Sequence, residues 1–125
     1  KIRLLGYDFL KEGKDLRMVL HWQALGEMVG DYPIFVHLFE PATERIVAQR
    51  DAMPLEGGYP TSRWQKGEVV SDPFSLSLAE VPPGSYRLAI GVYDSQTMIR
   101  LSPASAKAFT FSNNRLILDE VIELD

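Results

Sequence analysis

No cysteine occurs among the 125 residues. Disulfide frameworks, thiolate nucleophiles and cysteine-ligated zinc are therefore excluded. No apolar run approaches the ~20 residues of a membrane-spanning helix. Basic blocks are absent as well: 13 Lys and Arg stand against 17 Asp and Glu, a formal net charge of −4. Nucleic-acid binding needs clustered positive charge, so that class is set aside. Only two histidines, His21 and His37, offer an imidazole. Neither a signal peptide nor an initiator Met is seen, and the chain starts inside a strand-like pattern at Ile2-Arg3. It reads as a piece of a longer polypeptide, with targeting information elsewhere.

What is present is ordinary for a globular protein: 46% hydrophobic and 24% charged residues. A chain of this length buries roughly 65–70% of its unfolded surface, so 1–125 reads as one domain that needs no metal or disulfide staple. The stretch 82–94, PPGSYRLAIGVYD, organises the rest. Its Pro-Pro-Gly opening reads as a type II turn. After it Tyr86, Leu88, Ile90 and Val92 alternate with Arg87, Ala89, Gly91 and Tyr93, the period of two of a strand pressed on a core.

Other segments carry the same period. A first strand runs over 2–10, with Gly6 as a bulge, and a Gly-centred turn follows at 11–15. Over 16–24, Leu16, Met18, Leu20 and Trp22 take one face and Arg17, Val19, His21 and Gln23 the other. The third strand, 34–39, is apolar on both faces: Ile34, Val36 and Leu38 on one, Phe35, His37 and Phe39 on the other. Such a strand is covered on both sides. A fourth follows over 45–51, after a turn at 41–44. Residues 52–67 then break the alternation, a loop longer than compact domains usually carry without a purpose. The strand over 68–78 holds Asp72-Pro73, which places it at an edge or kinks it. A hairpin return at 98–101, a polar linker at 102–106 and strand candidates at 109–111 and 116–124 complete the chain. No helical stripe is found. Seven to nine strands at this spacing predict an all-β, immunoglobulin-like antiparallel β-sandwich. Tyr86, opening a late strand beside a Pro-Gly corner, resembles the tyrosine corner of such domains.

The strings LHWQAL (20–25), FVHLFEP (35–41), IVAQRD (46–51), GGYPTSRWQKGEVVSD (57–72) and PPGSYRLAIGVYD (82–94) together resemble a recurrent bacterial module. It is the extracytoplasmic C-terminal β-sandwich of membrane proteins of the dolichyl-phosphate-mannose glycosyltransferase type. The resemblance spans about residues 16–101. It implies a sandwich fold and a place outside the cytoplasm, attached to the membrane through the parent protein. It transfers no catalytic residue, because the catalytic part of those proteins is the membrane region.

Candidate chemistry is sparse. A triad needs a nucleophile, a base and an orienter. His21 and His37 are the only imidazoles, and no G-x-S-x-G surrounds a serine. Both read as strand-face histidines, and their strands belong to opposite sheets, so they are not expected to share a metal. Glu68, Asp72, Glu80 and Asp94 lie near turns and read as solvated acids. Neither a glycosidase pair nor a calcium loop is spaced among them. The long loop offers Tyr59, Arg63 and Trp64, residue types that bind sugars or proteins. Alternatively its aromatics cover the outer face of Phe35, His37, Phe39, Ala89, Gly91 and Tyr93, which is too apolar to stand bare. Gly91 leaves room there for a close visitor. Contact with a ligand or partner is expected, if anywhere, at Tyr59, Arg63, Trp64, His37 and Tyr93. The expectation is a non-enzymatic accessory module with no cofactor. Its partner would be the rest of its parent or another envelope protein. The alternative is a carbohydrate-binding module using the 57–66 aromatics.

Overall fold

The computed structural model describes residues 2–101, 104–105, 110–112 and 114–125. Eleven β-segments follow the alternation: β1 (Ile2–Glu12), β2 (Asp15–Ala24), β3 (Ile34–Phe39), β4 (Ile46–Ala52), β5 (Val69–Ser77), β6 (Gly84–Tyr93), β7 (Arg100–Leu101), β8 (Ala104–Ser105), β9 (Thr110–Ser112), β10 (Arg115–Ile117) and β11 (Ile122–Leu124). No α-helix occurs among the described residues; the only helical pieces are two short 3-10 turns, Pro54–Gly57 and Thr61–Arg63. No helix is long and apolar enough to cross a membrane among the described residues.

One sheet has the order β5-β2-β1-β8 and the other β4-β3-β6-β10-β9, with β7 and β11 also on β6. Every pair is antiparallel except β1 with β8. Segments β7, β10 and β11 meet β6 successively at Val92, Ile90 and Tyr86. They behave as one interrupted strand along its free edge. Counted so, nine strands among the described residues form an immunoglobulin-like antiparallel β-sandwich, in which the chain changes sheet after β2, β4, β5, β7 and β8. The bulge at Gly6 appears as a register shift between Leu4 and Gly6. β5, with its Pro73, is an edge strand, where a residue without an N–H costs no ladder bond if that position faces solvent.

The core is the one the alternation marks. Leu16, Met18, Leu20 and Trp22 of β2 meet Ile34, Val36 and Leu38 of β3 and Tyr86, Leu88, Ile90 and Val92 of β6, all buried in one cluster. Leu116 and Leu118 extend it from the C-terminal part.

Two local readings change. The hydrogen-bonded reversal before β6 lies at Leu78–Val81, where the Val81 N–H donates to the Leu78 carbonyl at 3.0 Å. Residues 82–84 are not that turn, because Gly84 and Ser85 are already drawn into the ladder with β11. Gly84 still uses a positive φ, +156°. The stretch read as a polar linker contains β8, which pairs with Arg3 and Leu4 of β1. Of the candidate strand at 109–111, Phe109 lies outside the described residues, and β9 covers 110–112.

The tyrosine corner is present. The Tyr86 hydroxyl donates to the Pro82 carbonyl, four residues back, at 2.7 Å, with the ring buried. Tyr86→Phe deletes that bond alone, with an expected loss of about 0.5–1.5 kcal/mol in a urea titration. An unchanged midpoint would show that the corner contributes nothing.

Candidate functional site

The loop 53–68 is built around Trp64. Its ring is 2% exposed and belongs to the main core cluster. The indole N–H donates to the Tyr59 carbonyl at 2.9 Å. Thr61, fully buried, accepts the Tyr32 N–H at 2.9 Å and donates its hydroxyl to the Gly30 carbonyl at 3.0 Å. The Ser62 N–H donates to Asp31 Oδ1 at 3.1 Å. At the loop's end, Gly67 and Ala24 are joined by an N–H to carbonyl bond of 2.7 Å, and Ala24 in turn donates to Glu68 at 2.9 Å. The loop is thus tied to β2 and to the β2–β3 connection, and Trp64 plugs the space between the sheets at that end.

This corrects the expectation that the loop covers the outer face of the β3–β6 sheet. The Trp64 indole joins the core cluster, to which β2, β3 and β6 all contribute. The outer face is roofed by the C-terminal part instead. The Arg100 guanidinium lies 4.9 Å from the Phe35 ring centre and that of Arg115 5.5 Å from Phe39. Ile117 packs with Phe39 and Ala89. A guanidinium over an aromatic face is attracted by the ring quadrupole, and its stem covers apolar surface. The close visitor at Gly91 is its own cross-strand partner, Phe35: a Cβ at position 91 would lie 2.1 Å from the ring.

The five expected contact residues therefore fall in two places. Tyr59, Arg63 and Trp64 stand at the loop end, whereas His37 and Tyr93 lie on the roofed outer face. Tyr59 is half-buried, and its hydroxyl donates to the Glu68 carboxylate at 2.7 Å. That bond raises the Tyr59 pKa, while the Gln65 N–H, ahead of Tyr59, lowers that of Glu68. Arg63 is exposed, 6.0 Å from the Tyr59 ring. Tyr93 is half-buried, 6.3 Å from the Phe35 ring, and burial, with Asp51 beside it, raises its pKa.

His37 is 6% exposed, its ring 4.6 Å from that of Phe35, and among the described residues its Nδ1 has no hydrogen-bond partner. Burial lowers its pKa; Asp51 opposes and Arg100 and Arg115 reinforce that shift. A folded-state value below the unfolded ~6.5 means the unfolded chain binds the extra proton first. Stability is then full above about pH 6.5 and falls as pH drops below it. His37→Phe should flatten the change in urea midpoint between about pH 7 and pH 5. An identical pH slope in the variant would exclude His37 as its source.

Two arrangements went unseen in the sequence. On the outer face of the β1-β2-β5 sheet, His21 Nδ1 lies 2.8 Å from Ser71 Oγ and His21 Nε2 2.9 Å from Asp8 Oδ2. The order serine–histidine–aspartate is that of a nucleophile, base and orienter. An acyl-transfer site also needs donors converging on an oxyanion. On the flat face of an antiparallel ladder, backbone N–H groups lie in the plane of the sheet instead. What the geometry does supply is a side-chain staple across three strands, since Ser71 is the register partner of His21 and Asp8 is its diagonal neighbour. His21 and His37 lie in opposite sheets, and no group of three metal-ligating side chains occurs among the described residues.

Asp72, expected to be a solvated turn acid, is fully buried. Its Oδ1 accepts the Leu55 N–H at 2.9 Å, and Oδ2 has no hydrogen-bond partner among the described residues. Burial raises its pKa, against the lowering effect of Leu55 and Arg50. It holds a turn in which Leu55 and Glu56 both take left-handed φ, 53° and 55°. Glu68 is half-buried, Glu80 is exposed, and Asp94 Oδ1 accepts the Gln96 N–H at 2.8 Å.

Set beside known proteins, the chain matches no family model, no curated protein and no solved structure.

Proposed function

We propose that this domain is a non-catalytic accessory β-sandwich of a larger cell-envelope protein, standing outside the cytoplasm and attached to the membrane through its parent. Its role is to space or dock that parent, with the rest of the parent or another envelope protein as partner. One observation carries the reading: Trp64, the best sugar-stacking residue of the long loop, is 2% exposed and bonded through its indole N–H. Its ring surface is committed to the core, and the Tyr59 hydroxyl is committed to Glu68. A stacking platform needs free ring faces. The envelope location rests on the resemblance of the segments between 16 and 101 to the extracytoplasmic glycosyltransferase-associated module.

A protein contact is favoured by the loop tips at the same end. Val29 is 97% exposed, Met98 68% and Ile99 64%. They sit on the β2–β3 and β6–β7 connections, which adjoin where the Tyr93 N–H donates to the Pro33 carbonyl at 3.2 Å. Single exposed apolar residues are common, but three on two adjoining loops suit a docking contact.

The test is a glycan-array screen of the folded domain. The structural reading expects no glycan retained above background. A glycan bound by the native domain and released by Arg63→Ala, with the melting midpoint unchanged, would replace it with the carbohydrate-binding alternative.

A further inference from the structure

A cavity of about 580 Å³ is lined by residues of β1, β2, β4, β5 and the 54–57 turn. Its volume is that of a small-ligand site. Phe9, Met18 and Phe74 form its apolar floor, one continuous row of register partners across three strands. Four charged residues also line it, but the side chains of two, opposite in parity to Phe9 and Met18, belong to the other face of the sheet. Arg17 pairs with Glu12 at 3.6 Å, and Asp8 with His21 at 2.9 Å. Arg50 and Glu56 remain.

These two are not equivalent. The Arg50 guanidinium is stacked 4.5 Å from the centre of the Phe74 ring. Among the described residues it makes no hydrogen bond or ion pair, not even with Glu56. Stacking fixes the planar fork beforehand, so little further side-chain freedom is lost when an acceptor arrives. Five N–H donors thus stand unused at the wall of an apolar cavity. Glu56 is exposed, on the turn whose backbone Asp72 holds through Leu55.

We propose that this cavity binds a small amphiphile with an apolar body and a single carboxylate. The body lies against Phe9, the half-buried member of that row, beneath which Met18 and Phe74 are buried, and the carboxylate takes two parallel N–H bonds from Arg50, the geometry in which guanidinium and carboxylate match. Glu56, unpaired with Arg50 but on the same lining, repels the carboxylate and lowers its affinity. The site is independent of the 57–66 aromatics and of the docking role, so it stands or falls separately.

The test uses octanoate and octanol as probes, with the Met18 methyl signal as reporter in a titration followed by NMR. Octanoate should perturb that signal saturably. Arg50→Gln should weaken octanoate binding by about tenfold or more, the loss expected for a charge-assisted pair. Octanol should be nearly indifferent to the same change. Glu56→Gln should tighten octanoate and leave octanol unchanged. A Met18 signal that never saturates, or octanoate and octanol responding alike to both substitutions, would overturn the assignment. Retained melting midpoints in both variants keep a folding defect from imitating a loss of binding.

Discussion

Trp64→Ala is expected to lower the free energy of unfolding by about 3–5 kcal/mol, the range for deleting a large buried aromatic. The indole is among the largest fully buried side chains, and it belongs to the core cluster to which both sheets contribute. Alanine would leave a cavity there and strand the Tyr59 carbonyl that accepts the indole N–H. The loop's other anchors, Thr61 to Gly30 and Tyr32 and Ser62 to Asp31, are polar, the first buried and the second exposed. Their net contribution is about 1 kcal/mol each, too little to replace the lost burial. Urea unfolding of the two proteins checks this. A loss below about 1 kcal/mol would mean the loop is held by those bonds alone, because truncating a core aromatic cannot cost so little.

Gly91→Ala should cost about 2–3 kcal/mol or more, at the upper part of the range for overpacking a core. Its sign is the informative part. At a strand position that alanine tolerates, removing a glycine stabilises by about 0.4–1 kcal/mol through the unfolded chain. Here the added Cβ would sit 2.1 Å from the Phe35 ring. That ring cannot swing aside freely, being packed against the tilted His37 ring and roofed by Arg100. Phe35→Leu in the same background should recover part of the loss, a coupling of about 0.5–3 kcal/mol between touching residues. Additive effects in thermal melts would show that the two side chains do not compete for one space.

The sandwich and its core were legible because alternation reports burial directly: all eleven residues placed inward on β2, β3 and β6 are buried. Tyr86 was legible because its corner is local, a matter of four residues. Partnerships between distant segments were not. Phe35, His37 and Phe39 announce that their face needs a roof, but no periodicity says which segment supplies it. The loop was the candidate because it is aromatic; the roof comes in part from Arg100, Arg115 and Ile117, whose stems and guanidinium planes do not look apolar in a sequence. Asp72 was readable in hindsight. It shares parity with Val70, Phe74 and Leu76, all inward, yet its neighbour Pro73 made it look like a turn acid. The Asp8–His21–Ser71 staple requires the registers of two ladders at once, which no local pattern encodes.

The central claim is that the aromatic loop is a plug of the fold, not a surface for ligands. Trp64 reports on it once Trp22 is replaced by phenylalanine, a change that strands no acceptor among the described residues, where the Trp22 indole N–H has no hydrogen-bond partner. The measurement is acrylamide quenching of the remaining tryptophan in the native Trp22→Phe domain. Blue-shifted emission that acrylamide barely quenches is the predicted result. Red-shifted emission, quenched as readily as in urea, would contradict the plug and return Trp64 to the surface as a ligand platform.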